Sequence, residues 1–461
     1  MNPTPGLWEN LVQMDWTDPN LRWVLMGTTL LGIAAAVLGC FAFLRGRSLM
    51  GDALAHAALP GVCLSFMFAE WGRSHGYFDI GSKDLWLLLV GAGGTGLLAA
   101  WSISVIGRHS RIKEDSAQAI VLSVFFGAGI VLLTKIQQGD SGNQSGLGKF
   151  LFGEAASMIG TDVRTMAIVA FVLCVATTLL YKELKLLCFD ADFGRGLGLP
   201  MRFLDGLLLI MIVAAVVIGL QAVGVVLISA MLIIPPAAAR FWSEKLHVMV
   251  PLSAAIGGLS GALGTLASNL APRMPTGPLI VLAATSIFII SVLFAPQRGA
   301  VARLWRLLAT RRTVQRENVL RDLFELTETA VSPADKEALV PEMTSSQLEA
   351  FPGATEDELR HRRRGSATGL SSTLRDLKRN KLVETNDDNR WRLTVPGLAA
   401  AYKVVRQHRL WEMFLMYETS LGVHNVDRDA DMVEHFLPPE TVAQLETMMQ
   451  EHGLEPRLRP V

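Results

Sequence analysis

Cysteine is scarce. The chain has four in 461 residues, Cys40, Cys63, Cys174 and Cys188. They lie in or beside apolar runs and form no CxxC pair, which argues against a disulfide framework or a zinc ribbon. Net charge is also lacking. Lys plus Arg number 42 and Asp plus Glu 42, so the overall balance names no partner. The opening stretch MNPTPGLWENLVQMDWTDPN has no basic n-region and no small-residue cleavage site. No cleavable signal peptide is expected, and the first apolar run is expected to target the chain to a membrane. A phosphate-binding loop is missing too. GNQSGLGK comes near one, but its glycine spacing is one residue off, and Phe150 stands where Ser or Thr must reach Mg²⁺. We expect no nucleotide site and no enzymatic role for this chain.

What the chain has in abundance is apolar sequence, and it is unevenly placed. Up to about residue 296 the sequence is mostly apolar runs of roughly 18–24 residues, the length that crosses a bilayer. Beyond that it turns polar and charged. The patterning predicts spans near 21–44, 53–71, 85–106, 117–135, 163–181, 203–220, 222–240, 248–268 and 277–294. VVIGLQAVGVV offers a weak break, and fusing the pair from 203 to 240 would give about eight spans rather than nine. Stretches such as GAGGTGLLAA and AAIGGLSGALGTLAS supply the small residues through which helices pack in lipid. No internal repeat is evident.

Basic residues set the orientation. Arg45 and Arg47 follow the first span. Arg108, Arg111 and Lys113 follow the third, Lys182, Lys185, Arg195 and Arg202 the fifth, and Arg240 and Lys245 the seventh. The loops containing GDSGNQSG and NLAPRMPTG are basic-poor. The positive-inside rule puts the N-terminus outside and the C-terminal half in the cytoplasm. Alternation fits an odd number of spans.

Within LMGDALAHAALPGV, Asp52 and His56 stand four residues apart, on one helix face. Such groups in a span usually face a polar pathway. A carboxylate and an imidazole together suit a first-row divalent metal. The plainer reading is that Asp52 caps the helix and His56 pairs with it locally. Further on, two prolines in IIPPAAAR most simply kink or stop a span.

LRGRSLMGDALAHAALPGV resembles a signature of the metal-type (zinc, manganese, iron) ABC transporter permeases. QAVGVVLISAMLIIPPAAAR resembles their second signature, and KELKLLCFDADFGRGLGLP their cytoplasmic segment. The matches occur in the family's order over roughly residues 20–295. The resemblance implies a plasma (inner) membrane permease working as a homodimer that encloses a metal path, with Asp52 and His56 in that path. It also implies an extracytoplasmic metal-binding protein and a separate ABC ATPase. That ATPase would dock on the segment carrying Phe189, Asp190, Asp192, Phe193, Gly196 and Gly198. The rival transport reading is a secondary transporter, which needs no ATPase.

The polar half reads as short amphipathic helices. RENVLRDLFELTE places Val319, Leu320, Leu323, Phe324 and Leu326 on a helical stripe. TSSQLEAF, LSSTLRDLKRNKLVE and NRWRLTVPG suggest a helix-turn-helix and a β wing. Arg375, Lys378 and Arg379 fall on its second helix, and Arg362, Arg363 and Arg364 form a basic cluster. These suit phosphate contacts with nucleic acid or with anionic membrane lipid. His408 and Glu412 are i, i+4, and Asp431, Glu434 and His435 share another helical face. Such a His/carboxylate set suits Mn²⁺ or Fe²⁺, with a surface ion-pair network as the plainer reading.

HRLWE and DADMVEH resemble the iron- and manganese-dependent repressors of the diphtheria-toxin-repressor type, over about 315–450. The resemblance implies metal ligands at His408, Glu412, Asp431, Glu434 and His435. It also shows departures. Asp427 stands where that family often has His, and the first-helix ligand positions fall on Asn318 and Arg321. Arg321 cannot ligate a metal. A membrane-tethered protein is poorly placed to search a chromosome, so a transport-modulating metal sensor is favoured over a DNA-binding regulator. A structural dimerisation module is the third reading.

The expected architecture is an all-α polytopic membrane bundle followed by a mainly α winged-helix and helical metal-binding, dimerising domain. Its parts are a membrane domain at 1–298, a basic linker at 299–314, a winged-helix-like domain at 315–400 and a helical domain at 401–461. The cofactor or cargo would be Mn²⁺, Zn²⁺ or Fe²⁺.

Overall fold

The computed structural model describes residues 18–47, 49–75, 85–138, 158, 160–270, 274–330, 353–362, 369–418 and 439–451. The chain divides into two compact units, Met1–Arg303 and Leu304–Val461. The N-terminal 17 residues and the GNQSGLGK stretch lie outside the described residues.

The first unit is helical. Its described helices are α1 (Pro19–Leu44), α2 (Met50–Ser74), α3 (Leu85–His109), α4 (Glu114–Gln137), α5 (Gly160–Leu179), α6 (Tyr181–Phe189), α7 (Ala191–Gly196), α8 (Met201–Val223), α9 (Val225–Trp242), α10 (Leu246–Asn269) and α11 (Thr276–Phe294). Nine helices among the described residues are long and apolar enough to cross a membrane. Helix α1 starts at Asp18, whose Oδ1 accepts from the Asn20 N–H at 2.9 Å, with Pro19 in the first turn.

Burial ranks the helices. In their most apolar windows, 72% of α1 and 67% of α2 and α8 is buried, against 22% of α4 and 17% of α11. Helices α1, α2 and α8 form the centre. Residues such as Phe171, Leu179 and Val131 stay exposed on peripheral helices, as lipid-facing side chains do, because hydrocarbon does not penalise them.

Close backbone approach ties the central helices to their neighbours. A β-carbon on Gly61 of α2 would run into the Gly91 carbonyl of α3, and one on Gly32 of α1 into the Gly257 carbonyl of α10. Hydroxyls tie the same pair of helices. Thr28 and Thr265 share a hydrogen bond at 2.9 Å, and Ser253 Oγ donates to the Ala36 carbonyl at 3.0 Å.

The weak break near 224 is a real helix boundary. Gly224 separates α8 from α9 at φ 81°, ψ 171°, a conformation open essentially to glycine alone. The sequence between 203 and 240 therefore makes two spans.

The second unit begins within α12 (Ala300–Ala330), so the stretch from 300 to 314 is helical. It continues with α13 (Glu356–Arg362), α14 (Leu370–Arg379), a hairpin of β1 (Val383–Thr385) and β2 (Trp391–Leu393), α15 (Val395–Glu418) and α16 (Pro439–Glu451). Strand β1 pairs antiparallel with β2 in the register Val383 to Leu393 and Thr385 to Trp391. Helices α13 and α14 precede this hairpin, while TSSQLEAF, read as the first helix of a helix-turn-helix, lies outside the described residues. Thr355 and Glu358 close a capping box at the start of α13. The Thr355 N–H donates to Glu358 Oε2 at 2.9 Å, and the Glu358 N–H to Thr355 Oγ1 at 3.2 Å. Val319, Leu320, Leu323 and Phe324 of α12 enter a core with Leu359, Leu374, Leu377 and Val405. The apolar stripe read from the sequence is the face that this core buries.

Candidate functional site: an acid and an imidazole on the second span

Asp52 lies in the first turn of α2 and His56 one turn later. Asp52 Oδ1 and His56 Nε2 are 3.5 Å apart. The surrounding burial makes the pair distinctive. Between residues 51 and 63, Asp52 and His56 are the only positions not buried. Their neighbours Gly51, Ala53, Leu54, Ala55 and Ala57 are packed into the bundle, so the helix turns one polar strip out of its packed surface. Phe126 of α4 meets the His56 ring edge-on, with centroids 4.8 Å apart, and fixes its plane. His56 Nδ1 is buried with no hydrogen-bond partner among the described residues. A ring nitrogen taken from water without a partner is poised for a ligand.

Capping accounts for less. The residue before α2 is Leu49, which makes no side-chain cap. Asp52 gains from the helix dipole in the first turn, and the local Asp52–His56 contact is present. Pro60 adds a feature that the sequence reading did not use. It lies inside α2 and has no N–H, so the His56 carbonyl one turn earlier has no partner in the helix ladder. Among the described residues no three His, Cys, Asp or Glu side chains gather to hold a metal. One chain offers an imidazole, a carboxylate and a released carbonyl along the same turns.

A second polar cluster escaped the sequence reading. Arg47, in the turn between α1 and α2, reaches Asp205 of α8 at 3.0 Å and Glu114 of α4 at 3.2 Å. Arg45 reaches the same Asp205 at 3.4 Å. Arg47 and Asp205 are only 8% and 5% exposed. Burial opposes the charge on Arg47, but the facing carboxylates of Asp205 and Glu114 outweigh it and raise its pKa. A single acid near the start of the run MRFLDGLLL was the available signal.

The segment read as a docking site forms α6, α7 and the turn after them. Asp190 Oδ1 accepts from the Phe193 N–H at 2.9 Å and caps α7. Asp192 pairs with Arg195. Gly198 takes φ 80° and ends the segment, while Gly196 closes α7. Phe189 and Phe193 are 57% and 58% exposed, so two aromatic rings stand free on a short, capped scaffold. Burial pushes the Cys188 thiol up to about 11, with Arg45 lowering it.

In the second unit, Arg375, Lys378 and Arg379 are exposed on α14. Lys378 Nζ donates to Thr385 Oγ1 at 3.0 Å and lies over the Trp391 ring. Arg362 pairs with Glu325 at 2.5 Å. Arg363, Arg364, Asp427, Asp431, Glu434 and His435 lie outside the described residues, as does the side chain of Glu412, whose backbone is in α15. His408 is 6% exposed. Its Nδ1 lies 3.2 Å from Arg321 Nη1. A guanidinium has only donors, so it occupies the lone pair that a metal would need. With that contact in place the Nδ1 lone pair is not open to a metal.

Comparison with known proteins gives the family. The ABC 3 transport family matches residues 17–295, and the metal-binding and dimerisation domain of the iron-dependent repressors matches residues 394–460. The manganese transport system membrane protein MntC of Bacillus subtilis (strain 168) is 42% identical over 442 residues, covering 96% of this chain and 94% of that protein. The zinc transport system membrane protein TroC of Treponema pallidum (strain Nichols) is 40% identical over 291 residues, covering 63% of this chain and 94% of that protein. Among solved structures, PsaBC from Streptococcus pneumoniae in complex with Fab shares 33% identity at a TM-score of 0.52, covering 65% of this chain and 98% of that one. The chain is a multi-pass membrane protein of the ABC 3 transport family, carrying an iron-dependent-repressor metal-binding and dimerisation domain after its membrane unit.

Proposed function

We propose that this chain is the permease subunit of a plasma-membrane importer for a divalent transition metal, with Asp52 and His56 in contact with the ion as it passes. The observation that carries this is the strip of two polar residues on an otherwise buried stretch of α2, with the His56 Nδ1 unpartnered. Two donors are too few to strip water from a cation. Two copies of the chain would supply two imidazoles and two carboxylates, a set that first-row divalent ions accept. The assembly is therefore a homodimer with the path between the two copies of α2. Manganese is the first candidate, because the B. subtilis manganese protein matches this chain across both units.

The chain lacks a phosphate-binding loop, so a separate ATPase drives transport. It docks on α6 and α7, where Phe189 and Phe193 are exposed at the end of the bundle that the basic residues place in the cytoplasm. The N-terminus is outside, and an extracytoplasmic metal-binding protein delivers the ion to that side. The second unit is cytoplasmic and modulates transport. It biases the permease by favouring one of its conformations over the other.

The test is the metal content of cells that depend on this protein, grown with manganese, zinc and iron together. Wild type is expected to accumulate one of them, and Asp52→Ala to lose that metal while the protein stays at its usual level in the membrane. Unchanged content in Asp52→Ala would return the pair to a helix-stabilising role.

A further inference from the structure

We infer that the Arg321 guanidinium occupies His408, so that it bridges α12 to that histidine and the histidine takes no ion. This rests on the reading of the second unit as a regulatory module, and it narrows where that module can sense metal.

The argument starts from lone pairs. Neutral imidazole has one nitrogen that donates and one that accepts. Arg321 Nη1 is 3.2 Å from His408 Nδ1, and arginine can only donate, so Nδ1 is the acceptor and Nε2 carries the proton. Both nitrogens are then unsuitable as metal ligands unless the Arg321 contact breaks. A cation bound at Nδ1 would also stand against the guanidinium, and the two charges would repel at close range.

Two nearby carboxylates face arginines, with Glu328 Oε1 buried and without a hydrogen-bond partner among the described residues. Glu325 faces Arg321 at 3.8 Å and Arg362 at 2.5 Å. Glu328, one turn further along α12, pairs with Arg409 at 2.8 Å, with side chains 3% and 13% exposed. Arginines thus supply the positive charge at the junction of α12 with α15. They bring fixed forks that satisfy carboxylates in two dimensions, which a small hydrated ion does not. Any sensing of metal by this unit runs through ligands other than His408.

The experiment uses the full chain in detergent, in an Asp52→Ala, His56→Ala background that removes the transport-path donors. Mn²⁺ alone is the probe, with binding measured by equilibrium dialysis and by the Mn²⁺ resonance signal. With Arg321 intact, His408→Ala is expected to leave Mn²⁺ affinity within about twofold. Arg321→Glu replaces the cation with a carboxylate and is expected to tighten Mn²⁺ binding at least tenfold, by analogy with the effect of a supporting partner at a metal site. Adding His408→Ala to Arg321→Glu should abolish that gain. Arg321→Lys keeps the charge and should gain nothing, and it serves as the folding control.

Loss of bound Mn²⁺ on His408→Ala with Arg321 intact would overturn the inference. So would the absence of any gain in an Arg321→Glu chain that elutes and melts like the Arg321→Lys chain. The regulatory reading fails by a different result: metal uptake by cells that does not change when residues 304–461 are removed. The two failures are therefore separable.

Discussion

Arg47 and Asp205 meet at 3.0 Å across 158 residues of sequence, both buried where α1 turns into α2. The pair anchors the start of the helix that carries Asp52 and His56. Removing Asp205 leaves Arg47 facing Glu114 alone and takes away the carboxylate that Arg45 reaches; breaking a buried pair typically destabilises by about 3–5 kcal/mol. Asp205→Ala should lower the thermal midpoint of the purified protein and reduce its level in the membrane. The double change Arg47→Met, Asp205→Leu should recover most of that loss, since both deeply buried charges are gone and the Glu114 and Arg45 left behind are more exposed. A double variant as unstable as the single one would mean that the ion pair itself is required.

Pro60 is predicted to serve transport rather than stability. Pro60→Ala gives the His56 carbonyl its helix partner back. The variant should be at least as stable as wild type. Uptake should fall, because the proposed path loses an oxygen that returns to the ladder. Stability and uptake, measured on the same membranes, test this directly.

The approach of α2 to α3 has no room for a side chain at Gly61. Gly61→Ala forces a methyl against the Gly91 carbonyl. Overpacking of this kind costs about 1–3 kcal/mol, and the midpoint of thermal unfolding in detergent should drop accordingly. Gly93 and Gly94 meet nothing within 4 Å, so Gly93→Ala should leave the midpoint unchanged.

Phe189 and Phe193 are exposed and contribute little to the fold. Phe189→Ala, Phe193→Ala should change stability by less than about 0.5 kcal/mol. Co-purification of the ATPase should be lost. Retained co-purification would move the docking site off α6 and α7.

The nine helices among the described residues that are long and apolar enough to cross a membrane were readable because lipid demands long apolar runs. The stripe of α12 was readable because a buried helix face repeats at its own period. Asp52 and His56 were visible as a pair because a helix brings residues four apart together. Relationships between helices were not visible in this way. Nothing local says that Arg47 will find Asp205, or that Arg321 will reach His408 across 87 residues. Arg321 was recognisable as a residue that cannot ligate a metal, but what it does instead depends on packing. The break at Gly224 lay between these cases, since glycine marks where a chain can turn without requiring that it does.

The most direct measurement is the initial rate of Mn²⁺ uptake by cells carrying wild type, Asp52→Asn or His56→Ala at equal membrane abundance, with ATPase co-purification as the control. Both substitutions should lower uptake more than about tenfold, the scale of losing a ligand or its partner at a metal site, while the ATPase still co-purifies. Uptake within twofold of wild type, from a protein that still holds its ATPase, would contradict the claim that Asp52 and His56 touch the transported ion.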